Sequence, residues 1–546
     1  MQRMPLIAGL VLFAVLISTT APAQNALLSG TVSSAREGLM EGVVVSAKRV
    51  GSTITTSVAT DDKGRFSFLA GRLEPGPYAL SIRAIGYDLE NPRSADVTAG
   101  KNESIEIKLA PTKNLAKQMS NAEWFMSFPG TDQEKKALLN CVSCHNLDRI
   151  VRSQYDGEQF VDIFNRMVGY YPGSTPEHPQ RLVGNAQRSL GQGPQLRMVA
   201  EYLASVNLSK ETWSYPLKTL PRLTGRSNRF IVTEYALPRR LIQPHDVVLD
   251  EQGMVWFTHF AEQLFGKMDP KTGQVWEYPL PVLKPGYPVG TLDLGLDKDG
   301  NPWIGMMYQS RIARFDKKTE TFKTWSIPKE WQTDAAQTGH LDPSFAHVDG
   351  KVWVKNSDRS QILRLDIASG EWENLGSFSD NGKRLGVYGI RADSSNNLYL
   401  LDFQTSTIGI VDAKTKKFTP YHGEIANSRP RRGIVDGADR LWYAEHAGNA
   451  IGMFDPKTEK IKEWVVPTPW AQPYDVVVDK NGEAWTGSMM SDRVSRLDPK
   501  TGQYVEYQLP KTTNIRRVFV DNSTTPVTFW IGSNHGASII KLEPLD

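Results

Sequence analysis

The rhythm of apolar and polar positions changes three times along the chain. From Leu27 to Leu109, short runs rich in β-branched and aromatic residues (Gly42–Lys48, Arg65–Leu69, Tyr78–Ala84, Ser104–Leu109) alternate with turn clusters such as Asp62-Lys63-Gly64 and Glu74-Pro75-Gly76-Pro77. That is the pattern of strands joined by tight turns, and it predicts a small β-sandwich over residues 27–110. Over residues 111–210 the spacing becomes helical. Glu158–Val168 and Gln195–Val206 carry apolar residues three and four apart, and Lys135–Asn140 leads as a further helical stretch into a cysteine motif. Residues 211–227 read as a linker.

Over residues 228–546 one unit recurs about every 40 to 50 residues, the spacing of a propeller blade. Examples are "PHDVVLDEQGMVWFTHFAEQLFGKMDPKTGQVWEYPLP", "RGIVDGADRLWYAEHAGNAIGMFDPKTEKIKEWVVP" and "YDVVVDKNGEAWTGSMMSDRVSRLDPKTGQYVEYQLP". Each unit reads as four short strands. A D-x-x-G turn joins the first two, and a D-P-K-T-G type turn joins the last two. Seven copies are present, and the last stops before its fourth strand. The earlier segment "RFIVTEYALP" matches the missing strand. A seven-bladed β-propeller closed by both ends of the region is predicted, with most sheet edges removed by closure. The expected fold class is therefore multidomain and mainly β: a transthyretin-like β-sandwich, a helical domain and the propeller.

Two resemblances sharpen this expectation. The stretch "SGTVSSAREGLMEGVVVSAKR…TDDKGRFSFLAGRLEPGPYALSIRAIGY" resembles the carboxypeptidase regulatory-like domain. That implies adhesion, sugar binding or spacing, and no catalytic set is visible there. The repeat region, through its "W-[FIVY]-x" second strands and "E-[YW]-x-[LIV]-P" fourth strands, resembles the virginiamycin B (streptogramin) lyase family of seven-bladed propellers. Propellers host many chemistries, so this resemblance bears on fold more than on activity.

Composition narrows the function classes. The chain has 546 residues and a net charge of +3, with no basic run to track a phosphate backbone, so nucleic-acid binding is not expected. Arg3, the apolar run Leu6–Ile17 and Ala21-Pro22-Ala23 read as a cleaved signal peptide over residues 1–23. The run is shorter than the roughly 20 residues a membrane span needs. Export to a periplasm is expected, with no membrane span in the mature chain. Export usually brings disulfides, yet both of the chain's 2 cysteines sit in one motif.

That motif is Cys141-Val142-Ser143-Cys144-His145, the C-x-x-C-H arrangement that attaches c-type haem. Two thiols reach the two vinyl groups of one porphyrin, and the adjoining imidazole reaches the iron. A zinc site would need further Cys or His nearby. The helical domain over residues 111–210 is accordingly expected to be a cytochrome c domain holding one covalent haem c. Met167 is the favoured second ligand, because small cytochrome domains with a "W/F-x-x-x-x-x-R-M" helix after the haem motif look similar to "FVDIFNRM". Met198, His178 and an open position remain alternatives. A thioether ligand raises the haem potential and a second imidazole lowers it.

A propeller gathers chemistry where loops meet its axis. Of the 9 histidines, His245, His259, His340, His446 and His535 are expected at that mouth, a set that could hold copper or another imidazole-binding metal. Arg431, Arg432, Arg516 and Arg517 would suit an anion. The lyase resemblance implies Mg²⁺ and a base that opens a lactone. It places His245 ("Q-P-H-D") and Glu445 ("W-Y-A-E-H"), with His446 beside it, as the catalytic candidates. The other blades carry no such Glu ("FTHF", "IGMM", "VKNS", "LLDF", "TGSM", "IGSN"), which puts that activity in doubt. Three functions stay open: oxidation of a small substrate at the mouth with electrons leaving through haem, electron transfer or binding without turnover, and a Mg²⁺-dependent C–O lyase. A redox partner protein, cytochrome or dehydrogenase, is implied by the first two.

Overall fold

The repeat unit folds as its turns dictate. In the computed structural model, which describes residues 27–143, 145–175, 177–183, 194–210, 212–332, 338–356 and 360–546, the aspartate opening the first turn of a blade does two jobs. Asp250 Oδ1 accepts the Gln252 and Met254 N–H groups, and its Oδ2 accepts the Trp256 indole N–H at 2.8 Å. Asp297 with Trp303, Asp436 with Trp442 and Asp479 with Trp485 repeat the indole bond at 3.0, 2.8 and 2.9 Å. The turn residue thus satisfies its own backbone and pins the large apolar side chain that fills the space between blades. Six four-stranded antiparallel sheets follow in order from Pro244 to Gln508. The expected leader (residues 1–23) and Cys144 lie outside the described residues.

The seventh blade joins Ile515–Asp521, Thr528–Ser533 and Ser538–Pro544 to Phe230–Ala236, with Phe230 opposite Pro544 and Ala236 opposite Ser538. The early strand completes the ring as the sequence predicts. Its other edge does not face solvent. Ile231 to Tyr235 pair antiparallel with Val58 to Ile54 of the N-terminal sandwich, so blade and sandwich share one eight-stranded sheet. The sandwich's second sheet is built on Leu27–Ser34 and Asn102–Pro111, which run parallel. Ile231, a propeller residue, is fully buried in the sandwich core with Val45, Val58 and Tyr78.

Five helices lie among the described residues: α1 (Asn121–Ser127), α2 (Asp132–Lys136), α3 (Asp148–Val151), α4 (Gly157–Met167) and α5 (Pro194–Val206). Capping boxes start α1 (Ser120 with Glu123) and α4 (Asp156 with Gln159). The core of this helical segment is not its own. Trp124, Phe125, Leu139, Phe160 and Leu203 pack in one cluster with Tyr474, Met489 and Met490 of the propeller. The stretch expected as a linker is also docked. Lys218 N–H donates to Ser127 Oγ and Leu220 N–H to Glu123 Oε1, each at 2.8 Å, while Arg493 Nη2 donates to the Pro221 carbonyl at 2.6 Å. Gly42 is a glycine because a Cβ there would come within 2.3 Å of the Leu223 carbonyl oxygen, and because its φ is +73°. Its partners are remote in sequence, so the segment's polar, proline-bearing composition reads as free linker.

Ile231→Ala is expected to cost about 2–4 kcal/mol, because it opens a cavity where sandwich and propeller share a core. Urea unfolding measures this, and a loss below about 1 kcal/mol would mean that the shared core contributes little.

Candidate functional site

Every blade's inner strand carries a β-bulge at the same place: Pro244/Val247, Leu292/Leu294, Thr338/His340, Val387/Gly389, Pro430/Gly433, Pro473/Val476 and Ile515/Val518. A bulge breaks strict alternation and re-aims side chains. Here it brings His245, His340, Tyr388, Arg431 and Tyr474 together at one end of the axis. Deeper in lie Asp246, Asp293, Arg432, Asp475 and Arg517. The aspartates stitch neighbouring blades: Asp246 accepts the Asp293 N–H at 2.6 Å, Asp293 the Leu341 N–H at 3.0 Å and Asp342 the Ala392 N–H at 3.0 Å. Arg432 pairs with Asp293 at 2.7 Å, and Arg517 pairs with Asp293 and, at 3.4 Å, with Asp475. Burial raises the Asp246 and Asp293 carboxyls, but the hydrogen bond from His245 with the Arg432 and Arg517 charges for Asp246, and Arg432 and Arg517 for Asp293, outweigh it and hold both well below the carboxylate range.

The outer layer is a hydrogen-bonded line of phenols and imidazole. The Tyr388 and Tyr474 hydroxyls are 2.5 Å apart, Tyr474 lies 3.1 Å from His245 Nε2, and His245 Nδ1 lies 3.1 Å from Asp246. Arg431 stacks over Tyr474 at 4.0 Å and Tyr388 at 4.8 Å, and donates to His446 Nε2 at 3.3 Å. His446 Nδ1 faces the Pro473 carbonyl. Burial raises the Tyr388 phenol, but Arg431, Arg432 and the Tyr474 bond bring it down to about 7. His245 and His446 are kept neutral, chiefly by burial.

The five histidines therefore part company. His245, His340 and His446 converge on the axis; His340 Nδ1 lies 3.6 Å from Asp293 and its ring packs on Tyr388. His259 sits inside the first blade between Glu262 and Glu277, 3.5 Å from each. His535 turns to the helical segment, with Nδ1 3.3 Å from Asn146 Oδ1. Among the described residues, the one group of three His, Cys, Asp or Glu whose donor atoms converge is His259, Glu262 and Glu277. The catalytic candidates divide too. Glu445 and His446 are neighbours in a strand end, and their side chains leave in different directions. Glu445 is sunk beside Glu463, Ser428 and Tyr443, and burial followed by Glu463 pushes its carboxyl up to about 9. Sequence reasoning passed over Glu463, Glu262 and Glu277. The repeat itself held the signal: Glu463 follows Glu445, and Glu277 follows His259, at the same spacing.

The helical segment covers this end of the axis. Tyr171 donates its hydroxyl to the Phe260 carbonyl, Gln180 Nε2 donates to the Ala261 carbonyl at 2.8 Å, Ala122 N–H donates to the Met490 carbonyl at 2.9 Å, and Asn514 Nδ2 donates to the Val142 carbonyl at 3.4 Å. Between the two bodies is a cavity of 1760 Å³. Cys141, His145, Phe160, Phe164, Met167 and Tyr171 line it from the helical side, and Asn534 and His535 from the propeller. His145 Nδ1 lies 3.1 Å from the Asn146 carbonyl. An N–H there fixes the tautomer and leaves Nε2 as the lone-pair nitrogen. Burial lowers the His145 pKa and keeps the ring neutral. These donors fit a haem: a thiol, a neutral imidazole with an oriented ring, a thioether and apolar walls share one space. Met198, weighed as an alternative ligand, is 64% exposed on α5.

Comparison with known proteins agrees with the architecture. Residues 285–541 match the virginiamycin B lyase family, and residues 28–110 match the carboxypeptidase regulatory-like domain. The ring is a virginiamycin-lyase-like propeller and the sandwich a carboxypeptidase regulatory-like domain. Virginiamycin B lyase from Staphylococcus aureus is 22% identical, with a TM-score of 0.49 over 57% of this chain and 99% of that one. A streptogramin B lyase is 22% identical, with a TM-score of 0.49 over 59% and 100%. The WD40 repeats of RRP9 are 12% identical, with a TM-score of 0.43 over 57% and 97%. No curated protein matches the chain.

The folded chain keeps Glu445 protonated to about pH 9, whereas an exposed Glu ionises near 4.5. Folding therefore loses stability as pH climbs through that window. Glu445→Gln removes the linkage, so its melting temperature should gain on the native protein from about pH 5 to about pH 8.5. A gap that does not change with pH would refute a protonated Glu445.

Proposed function

We propose that this chain is an exported, periplasmic c-type cytochrome whose propeller supplies the site of a coupled oxidation. The observation that carries the reading is the single cavity in which Cys141, His145 and Met167 meet. Cys141 and Cys144 would hold a haem by thioether bonds, with His145 and Met167 as the iron ligands. The group supplies one-electron exchange when bound. The Asn146 carbonyl orients His145, Phe160 and Phe164 exclude water, and Arg149, Arg166 and Arg240 on the same cavity suit anionic edge groups. No helix among the described residues is long and apolar enough to cross a membrane, and electrons would pass on to a redox partner protein.

The axial layer supports the oxidation half of the reading. Arg431 gives an anionic donor a cationic face, and the Tyr388 phenol, brought down to about 7 and hydrogen-bonded to Tyr474, can take up the proton that oxidation releases. Lactone opening is less well served, since Glu445 is buried beside Glu463 rather than beside His245. A second reading, electron relay without turnover, is favoured by one observation: His245, Tyr388 and Tyr474 lie beneath the helical segment, with His245 and Tyr474 at 1% and 0% exposure.

Chain matured in cells that attach haem to exported proteins should stay coloured after denaturation and carry the mass of one haem. Cys141→Ala should lose the two-bond attachment. Met167→Ala should keep the haem and lower its reduction potential. A colourless chain of apo mass ends the proposal. If the mouth is the oxidation site, His446→Ala should abolish haem reduction by whichever small donor reduces the native protein; undiminished reduction selects the relay.

A further inference from the structure

The first blade contains a second site that the axial chemistry does not use. His259 ends strand Val255–His259, Glu262 lies in the following turn, and Glu277 lies on the outer strand Val275–Pro279. One donor atom from each lies within 4.8 Å of the other two. The imidazole has 0% exposure, and neither ring nitrogen has a hydrogen-bond partner; nor does Glu262 Oε2. Unsatisfied buried nitrogens are costly and rare. The separations are informative. Glu262 Oε2 lies 3.5 Å from Nδ1 and Glu277 Oε1 lies 3.5 Å from Nε2; an ion takes one of the two nitrogens, so one of these is the separation across it. Charge-assisted hydrogen bonds run at about 2.7–2.9 Å. Two donors held tetrahedrally at about 2.1 Å from one ion are about 3.4 Å apart.

The surroundings hold the three side chains still. Arg239 donates to Glu262 Oε1 at 2.6 Å, away from the Oε2 that faces His259, and it also pairs with Glu277 Oε1, the oxygen that faces Nε2. Such outer partners orient ligating carboxylates. Phe257 stacks on the His259 ring at 5.1 Å.

We infer that His259, Glu262 and Glu277 bind one divalent first-row cation, with Zn²⁺ the best match to a set of one nitrogen and two carboxylates. Its role is structural. The same turn presents the Phe260 and Ala261 carbonyls to Tyr171 and Gln180, so an ion there clamps the platform on which the helical segment rests. This inference is independent of the haem reading.

The test uses full-length protein stripped with a chelator. Titration with Co²⁺ should produce a visible ligand-field band that saturates at one ion per chain and is displaced by Zn²⁺. Zn²⁺ should raise the melting temperature. His259→Gln and Glu277→Gln, checked for native circular dichroism, should each weaken Co²⁺ binding at least about 10-fold and lose the Zn²⁺ shift, while Glu445→Gln keeps both. No band and no shift in the native chain would overturn the inference. So would a band that survives in both variants.

Discussion

The strand Phe230–Ala236 is the constraint on which the rest depends. A propeller is a ring of sheets, and a ring needs one blade made from both ends of its chain. Here the closing strand is hydrogen-bonded on both edges, to Ser538–Pro544 on one side and Ile54–Ala59 on the other. An outer strand normally leaves a row of open backbone groups. The sandwich covers that row and continues the sheet, so ring closure and sandwich docking are one event. Ile231 makes the coupling apolar as well as polar, because it belongs to the propeller strand and to the sandwich core together.

Closure matters because the axial chemistry has no other support. Seven bulged strands aim charged and aromatic side chains at one line, and no single blade holds them there. Asp246, Asp293 and Asp342 reach across to backbone N–H groups of the next blade, so carboxylates serve as stitches between sheets. Buried in this way, unpaired charges would cost several kcal/mol each. Arg432 and Arg517 balance Asp293 and Asp475 in the deeper layer. The outer layer keeps a cationic surplus in Arg431, which is why the Tyr388 phenol falls to about 7 while burial alone would raise it.

What could be read in the sequence follows from what repeats. The blades were legible because turn aspartates and their tryptophans recur at fixed offsets, and the displaced seventh strand was legible because it matched the copies. The site was legible only in part. Neighbouring residues in a strand point to opposite faces, so Glu445 and His446 look like one site in the text and occupy two places in the fold. The same alternation took His259 away from the axis and into its blade. The partners that decide these outcomes, Glu463 and Glu277, stand on outer strands in each case. The cysteine motif stands out in the sequence. Its neighbours do not, since Asn534 and His535 come to it from the far end of the chain.

The helical segment and the propeller cannot be treated as separate functions joined by a tether. Trp124, Phe125 and Leu139 share a core with Tyr474 and Met490, and the docked stretch from 212 to 227 removes the slack that independent motion would need. Tyr474 therefore belongs to the core beneath the His145 cavity through its ring and to the His245 line through its hydroxyl. The fold uses one segment both as the wall of the cavity and as the cover of the ring.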